Sequence, residues 1–181
     1  MLFRSCGIAS LAEAEEARRL GLELIITDHH EFKETLPNAD VLVHPRLPAG
    51  DYPFGSLCGS GVAFKLAWAL CQLASGGGEK VHERFREFLL DSVALAALGT
   101  VADCVPLHDE NRIFVRYGLT RLPKVPSLGL KALMLSAGLA EKRELKADDV
   151  AFFLAPRLNA ASRLGCARLL LELLTDRKSV V

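Results

Sequence analysis

The stretch that constrains this chain most is Leu22-Glu23-Leu24-Ile25-Ile26, running into Thr27-Asp28-His29-His30. A helix precedes it. Ser10 stands as its N-cap, Glu13 completes a capping box three residues on, and Gly21 closes it after Arg18, Arg19 and Leu20. Helix, glycine, short apolar strand and then polar residues make the αβ half of a doubly wound sheet. In such a sheet ligands gather at the carboxyl ends of the strands, where Asp28, His29 and His30 stand.

The rest of the pattern agrees. Asp40-Val41-Leu42-Val43-His44 reads as a second strand stopped by Pro45. Residues 61–74 form a helix apolar on nearly every side, which predicts that it is largely buried. A further helix is expected over residues 79–98, with shorter ones at 112–122, 128–137, 148–154 and near 167–174. The expected fold is α/β, with a small, mainly parallel sheet flanked by helices. The sheet is expected to lack its first strands, because Leu2-Phe3 is too short for a central strand ahead of the helix at Ser10. The abrupt ends read as a piece cut from something larger.

Composition narrows the function. At 181 residues the chain can bury a sizeable core, and half of its residues are hydrophobic, which excludes disorder. A formal net charge of zero excludes a wholesale polybasic nucleic-acid binder. The charge is uneven, however. Residues 1–110 hold 9 Lys and Arg against 16 Asp and Glu, whereas residues 111–181 hold 13 against 6. An acidic first part suits cations and a basic second part suits polyanions, and solvated helix faces would look the same. Five scattered cysteines without a Cys-x-x-Cys pair suit a reducing compartment. With no transmembrane-length run and no signal-peptide core, the expected location is cytoplasmic, away from membranes.

Four segments can carry chemistry. Asp28, His29 and His30 offer ligands to a divalent cation, or else form a polar turn. Asp103 is a lone carboxylate in the apolar string from Leu98 to Leu107. Burying it bare would cost several kcal/mol, so it is expected to be paired, hydrogen-bonded or metal-bound, and the bend marked by Gly99 and Pro106 places it at a surface cleft, unless it only caps a helix. Arg157, Asn159 and Arg163 alternate with small residues and suit phosphate oxygens, or an ordinary solvated helix. Ser60 and Gly61 lie in a run of small residues ahead of the apolar helix, a weak anion-site signal that a flexible turn also explains. His44, His82 and His108 read as structural or solvated.

Together these segments resemble the DHH phosphoesterase superfamily, and within it the RecJ family of single-strand-specific DNA exonucleases. The resemblance rests on Thr27-Asp28-His29-His30, on residues 99–107 (GTVADCVPL), on residues 156–164 (PRLNAASRL) and on residues 59–64 (GSGVAF). It implies an α/β catalytic domain over 1–155 and, over 156–181, the start of a connecting helix to a second domain. It implies hydrolysis of single-stranded DNA from the 5′ end with Mn2+ or Mg2+, in service of DNA repair and recombination. It makes Asp28, His29 and Asp103 metal ligands, His30 a ligand or a neighbour of the scissile phosphate, and Ser60, Gly61, Arg157, Asn159 and Arg163 substrate contacts. Two cations about 3.5–4 Å apart would activate a water and stabilise the leaving oxygen.

The departures carry expectations too. The family's earlier aspartates have no counterpart, and Ser5 stands where another precedes the Cys6-Gly7-Ile8 turn. Two carboxylates and two histidines are few ligands for two hard ions, so the metal site is expected to be incomplete and the chain inactive or nearly so. Alternatives are a degenerate non-catalytic DHH module, or a DHH phosphodiesterase for short oligonucleotides, cyclic dinucleotides or pyrophosphate. Single-strand-binding protein is the expected protein partner, and an exposed sheet edge predicts a homodimer.

Overall fold

A computed structural model describes residues 2–4, 7–163 and 167–175. Three short strands form one sheet in the order β1 (Leu2–Arg4), β2 (Leu24–Thr27), β3 (Val41–Val43). All pairing is parallel, and the register sets Ile25 beside both Phe3 and Val41 and sets Thr27 beside Val43. Leu2–Arg4 thus does form a strand, at one side of the central β2, although it is only three residues long. Helix α1 (Leu11–Arg19) covers β2, with Ala14 and Ala17 packed on Leu24 and Ile26. Ser10 occupies the N-cap position as expected, but its side chain caps nothing; its own N–H instead closes a turn onto the Gly7 carbonyl.

The remaining elements are helical: α2 (Gly59–Leu73), α3 (Glu83–Ala102), α4 (Asp109–Arg121), α5 (Leu128–Ser136), α6 (Ala147–Asp149), α7 (Ala155–Arg163) and α8 (Ala167–Thr175). A π-type turn over Val150–Leu154 joins α6 to α7. Pro156 explains its position, because a proline lacks the N–H that would bond four residues back. Helix α3 is the axis of the helical part. One of its faces meets Phe64 and Phe114, and another meets a larger cluster that includes Leu119, Leu130, Val150 and Leu154.

Two expectations shift. The long helix begins and ends about a turn later than residues 79–98, so Gly99, Thr100 and Val101 are helical and the bend falls at Cys104, which has φ of 56°. Helix α2 was expected to be largely buried, yet Trp68, Leu70 and Leu73 are exposed. Only the face carrying Gly61, Val62, Phe64 and Cys71 is buried among the described residues.

Gly118 sets the α3–α4 spacing. A Cβ there would overlap Ala97 Cβ and lie 2.6 Å from the Val93 carbonyl oxygen, so the helices touch through their backbones. Arg121 closes the same interface, bonding Asp91 and Glu87 at 2.8 and 2.7 Å. Gly118→Ala is expected to lower stability by about 2 kcal/mol, since rigid backbone must move to admit the methyl group. Urea denaturation measures this, and an unchanged midpoint would contradict the close packing.

Candidate metal centre

The site begins where β2 leaves the sheet. The Asp28 N–H still bonds the Val43 carbonyl at 3.0 Å, so pairing persists to the first residue of the loop. The Asp28 side chain, only 2% exposed, then gathers the surrounding backbone. Its Oδ2 accepts the N–H groups of Gly7 and Ile8, both at 2.9 Å. Its Oδ1 accepts the N–H groups of His29 at 2.7 Å and His30 at 3.1 Å, and His30 Nδ1–H at 2.6 Å. Burial alone would raise the pKa of this carboxyl. The hydrogen bonds from Ile8, His30 and His29 outweigh burial and hold it ionised well below the usual carboxylate range.

These bonds decide what each side chain offers. Two donors on Oδ2 and three on Oδ1 occupy the lone pairs of Asp28. With its Nδ1–H given to Asp28, the His30 ring turns Nε2 outward as an acceptor; the ring is largely exposed. A carboxylate behind an imidazole is a common arrangement for orienting a metal-binding histidine. The His29 ring stacks obliquely on that of His30 with centroids 4.3 Å apart. Burial is the main influence lowering the His29 pKa, and Asp103 opposes it, so the ring stays neutral at pH 7 with a lone pair available to a cation.

Asp103 arrives from the other side, as the C-cap of α3. Its Oδ2 lies 3.6 Å from His29 Nε2, and its side chain is 44% exposed. That gap is too long for a hydrogen bond and fits two ligands sharing one small cation. The expected meeting of the two segments therefore holds, and Asp103 is exposed beside the bend rather than buried in the apolar string. Helix packing delivers it. A Cβ at Gly99 would overlap Ser60 Oγ, so only glycine lets α3 come this close to the start of α2. Asn111, fully buried, bonds the Ser56 and Pro106 carbonyls at 2.7 and 2.9 Å, tying the loop before α2 to the loop after Asp103.

Asp28, His29 and His30 form one cluster, with ligand atoms within 4.8 Å of one another. The residues expected to hold substrate have partners of their own, although the start of α2 reaches the cluster: a Cβ at Gly59 would lie 3.3 Å from the His29 ring. Ser60 Oγ donates to the Ala96 carbonyl at 3.3 Å, and Gly61 is buried, its N–H bonding the Cys58 thiol. Arg157 is exposed and donates to the Phe153 carbonyl at 2.6 Å and to the Ser136 carbonyl at 3.3 Å; Asn159 is exposed nearby on α7. The Arg163 side chain and the whole of Ser5 lie outside the described residues.

Sequence reasoning missed three contributors. The Gly7–Ile8 amides hold Asp28, His44 accompanies the loop from the end of β3, and Arg46 does so beside it. The available signal was parallel pairing, which sets the exits of β2 and β3 side by side.

Comparison with known proteins agrees with this geometry. The model of the DHH family, N-terminal domain, matches residues 4–97. The single-stranded-DNA-specific exonuclease RecJ of Bacillus subtilis is 47% identical over 173 residues, which is 96% of this chain and 20% of that protein. A crystal structure of RecJ in complex with Mn2+ from Thermus thermophilus superposes with a TM-score of 0.77 at 41% identity, covering 96% of this chain and 24% of its own. A structure of exonuclease RecJ bound to manganese has a TM-score of 0.76 at 41% identity and covers 95% and 41%. The chain thus spans less than half of each of these chains.

The depressed Asp28 pKa makes a stability prediction with a definite sign. A group whose pKa falls on folding contributes stability above its unfolded value, about 3.9, and loses it as pH drops through the folded value. Asp28→Asn is expected to cost about 2–3 kcal/mol at pH 7, because four backbone donors lose their charged acceptor. It is also expected to flatten the acid limb of stability below about pH 5. Urea midpoints measured across pH check both points, and parallel acid limbs in the two proteins would contradict them.

Proposed function

Because this chain belongs to the DHH family, we propose that it forms the metal-binding part of a RecJ-like exonuclease acting on single-stranded DNA from its 5′ end. One observation carries the reading: an imidazole and a carboxylate from distant segments lie 3.6 Å apart beyond the carboxyl ends of parallel strands. His29 Nε2, Asp103 and the outward Nε2 of His30 are the donors. Asp28 orients His30 and holds the loop, rather than lending an oxygen. That set suits Mn2+ or Mg2+, which when bound would supply Lewis-acid activation of a water or phosphate oxygen.

The chain's own groups divide the remaining work. If its Nε2 is not spent on the cation, His30, exposed and backed by a carboxylate, would instead sit beside the scissile phosphate and stabilise charge there, or carry a proton to the leaving oxygen. Arg157, Asn159 and Arg163 would take phosphates along the strand once Arg157 releases its backbone partners, with Ser60 and Gly61 shaping the floor. The basic balance of residues 111–181 favours the same polyanion. Free thiols at Cys58, Cys71 and Cys104 accord with a cytoplasmic setting, and no helix among the described residues is long and apolar enough to cross a membrane. Single-strand-binding protein and a second copy along an outer strand belong to the same proposal as partners.

The donor count favours binding over turnover. Two imidazoles and one free carboxylate satisfy one cation better than two. The 181-residue protein is expected to bind one Mn2+ by electron paramagnetic resonance titration, and Asp103→Asn is expected to weaken that binding about tenfold or more. Release of nucleotides from 5′-labelled single strands should stay far below nuclease rates. Failure to bind Mn2+ would remove the metal reading. Cleavage of dinucleotides or pyrophosphate with long strands left intact would redirect the substrate class.

A further inference from the structure

The two histidines of the cluster sit on a short loop whose peptide groups are anchored on both sides. On the amide side, the His29 and His30 N–H groups share Asp28 Oδ1. On the carbonyl side, both oxygens are taken by side chains leaving β3. His44 Nε2–H donates to the His30 carbonyl at 2.9 Å, and an Arg46 guanidinium N–H donates to the His29 carbonyl at 2.8 Å. We propose that His44 and Arg46 are positioning residues, a clamp that fixes the backbone of His29 and His30 and thereby the aim of both imidazoles. The inference rests on the metal reading of this site for its functional meaning, and on the hydrogen bonds alone for its geometry.

The clamp is built as a unit. His44 is only 7% exposed, and both of its ring nitrogens are used. Its Nδ1 accepts the Arg46 N–H at 3.0 Å, which leaves the proton on Nε2 for the His30 carbonyl. The neutral ring therefore satisfies every bond it makes. Phe32 meets it edge-on, with centroids 4.9 Å apart. Arg46 is steadied in turn by Glu31, the residue that follows the two histidines. Parallel pairing of Thr27 with Val43 brings the two exits level, so the side chain one residue past β3 reaches the carbonyl three residues past β2.

A residue that served stability alone would not select this loop. A carbonyl left unclamped frees the ψ angle of its residue, and the imidazole swings with the chain. The consequence is local: the loop loosens while the distant helical core is untouched.

Amide hydrogen exchange by NMR on the full 181-residue protein, without metal, reads the clamp directly. In His44→Ala, exchange at the His29 and His30 amides is expected to quicken about tenfold or more, while amides in α3 and α4 stay unchanged. His44→Gln keeps a donor near the Nε2 position and should restore protection to within about threefold. Arg46→Met, at a more exposed site, should quicken exchange at the same amides and is the readout if His44→Ala fails to fold. Mn2+ affinity is the second readout, expected to fall about 10–100-fold in His44→Ala and to recover in His44→Gln. Unchanged exchange at His29 and His30 in Arg46→Met, or in a folded His44→Ala, overturns the clamp. If the unaltered protein binds no Mn2+, the metal reading fails by itself, and the exchange data still decide the clamp.

Discussion

The Asp28 carboxylate is the interaction on which the site depends. A buried charge is costly, several kcal/mol even after relaxation, unless its oxygens are fully bonded. Here five N–H donors converge on it, each such charge-assisted bond contributing about 1.5–3 kcal/mol. Those donors come from three places: the turn after β1, the loop after β2, and the ring of His30. One ionised group therefore fixes the start of the chain to the sheet, shapes the loop and chooses the His30 tautomer. Its stability role and its site role cannot be separated, because the same bonds serve both.

The other half of the site is assembled by helix packing. Gly118 lets α4 press on α3, and Gly99 lets α3 press on α2, so the end of α3 lands where His29 projects. Asn111 then ties the loops on either side of that junction. The packing of α2, α3 and α4 thus has a local effect, which is to hold one carboxylate 3.6 Å from one imidazole. The sheet supplies the histidines and the helices supply the acid, and the divalent cation proposed for the site would sit between them.

Much of this was legible in the residues, and what was not has physical causes. The apolar run before Asp28 and the glycine before it specify a parallel αβ unit, because burial and backbone geometry are written locally. The nearness of His29 and Asp103 is a long-range fact, and it entered through family resemblance. Asp28 reads as a ligand in sequence because an Asp beside two His offers oxygens; that amides from Gly7 and Ile8 bond one of those oxygens is visible only in the fold. His44 reads as filler because its partner is a carbonyl, and backbone partners leave no trace in composition. Helix α3 outruns its expected end because Gly99, which looks like a breaker, is the contact that admits Ser60. Helix α2 reads as buried because apolarity alone does not say which faces are covered.

Anomalous scattering from a crystal soaked in manganese, collected at the Mn absorption edge, tests the central claim most directly. The account predicts a peak about 2.1 Å from both His29 Nε2 and Asp103 Oδ2, with Asp28 still bonded to the Gly7 and Ile8 amides. A peak held by Asp28 and remote from Asp103, or no peak between the two segments, would contradict it.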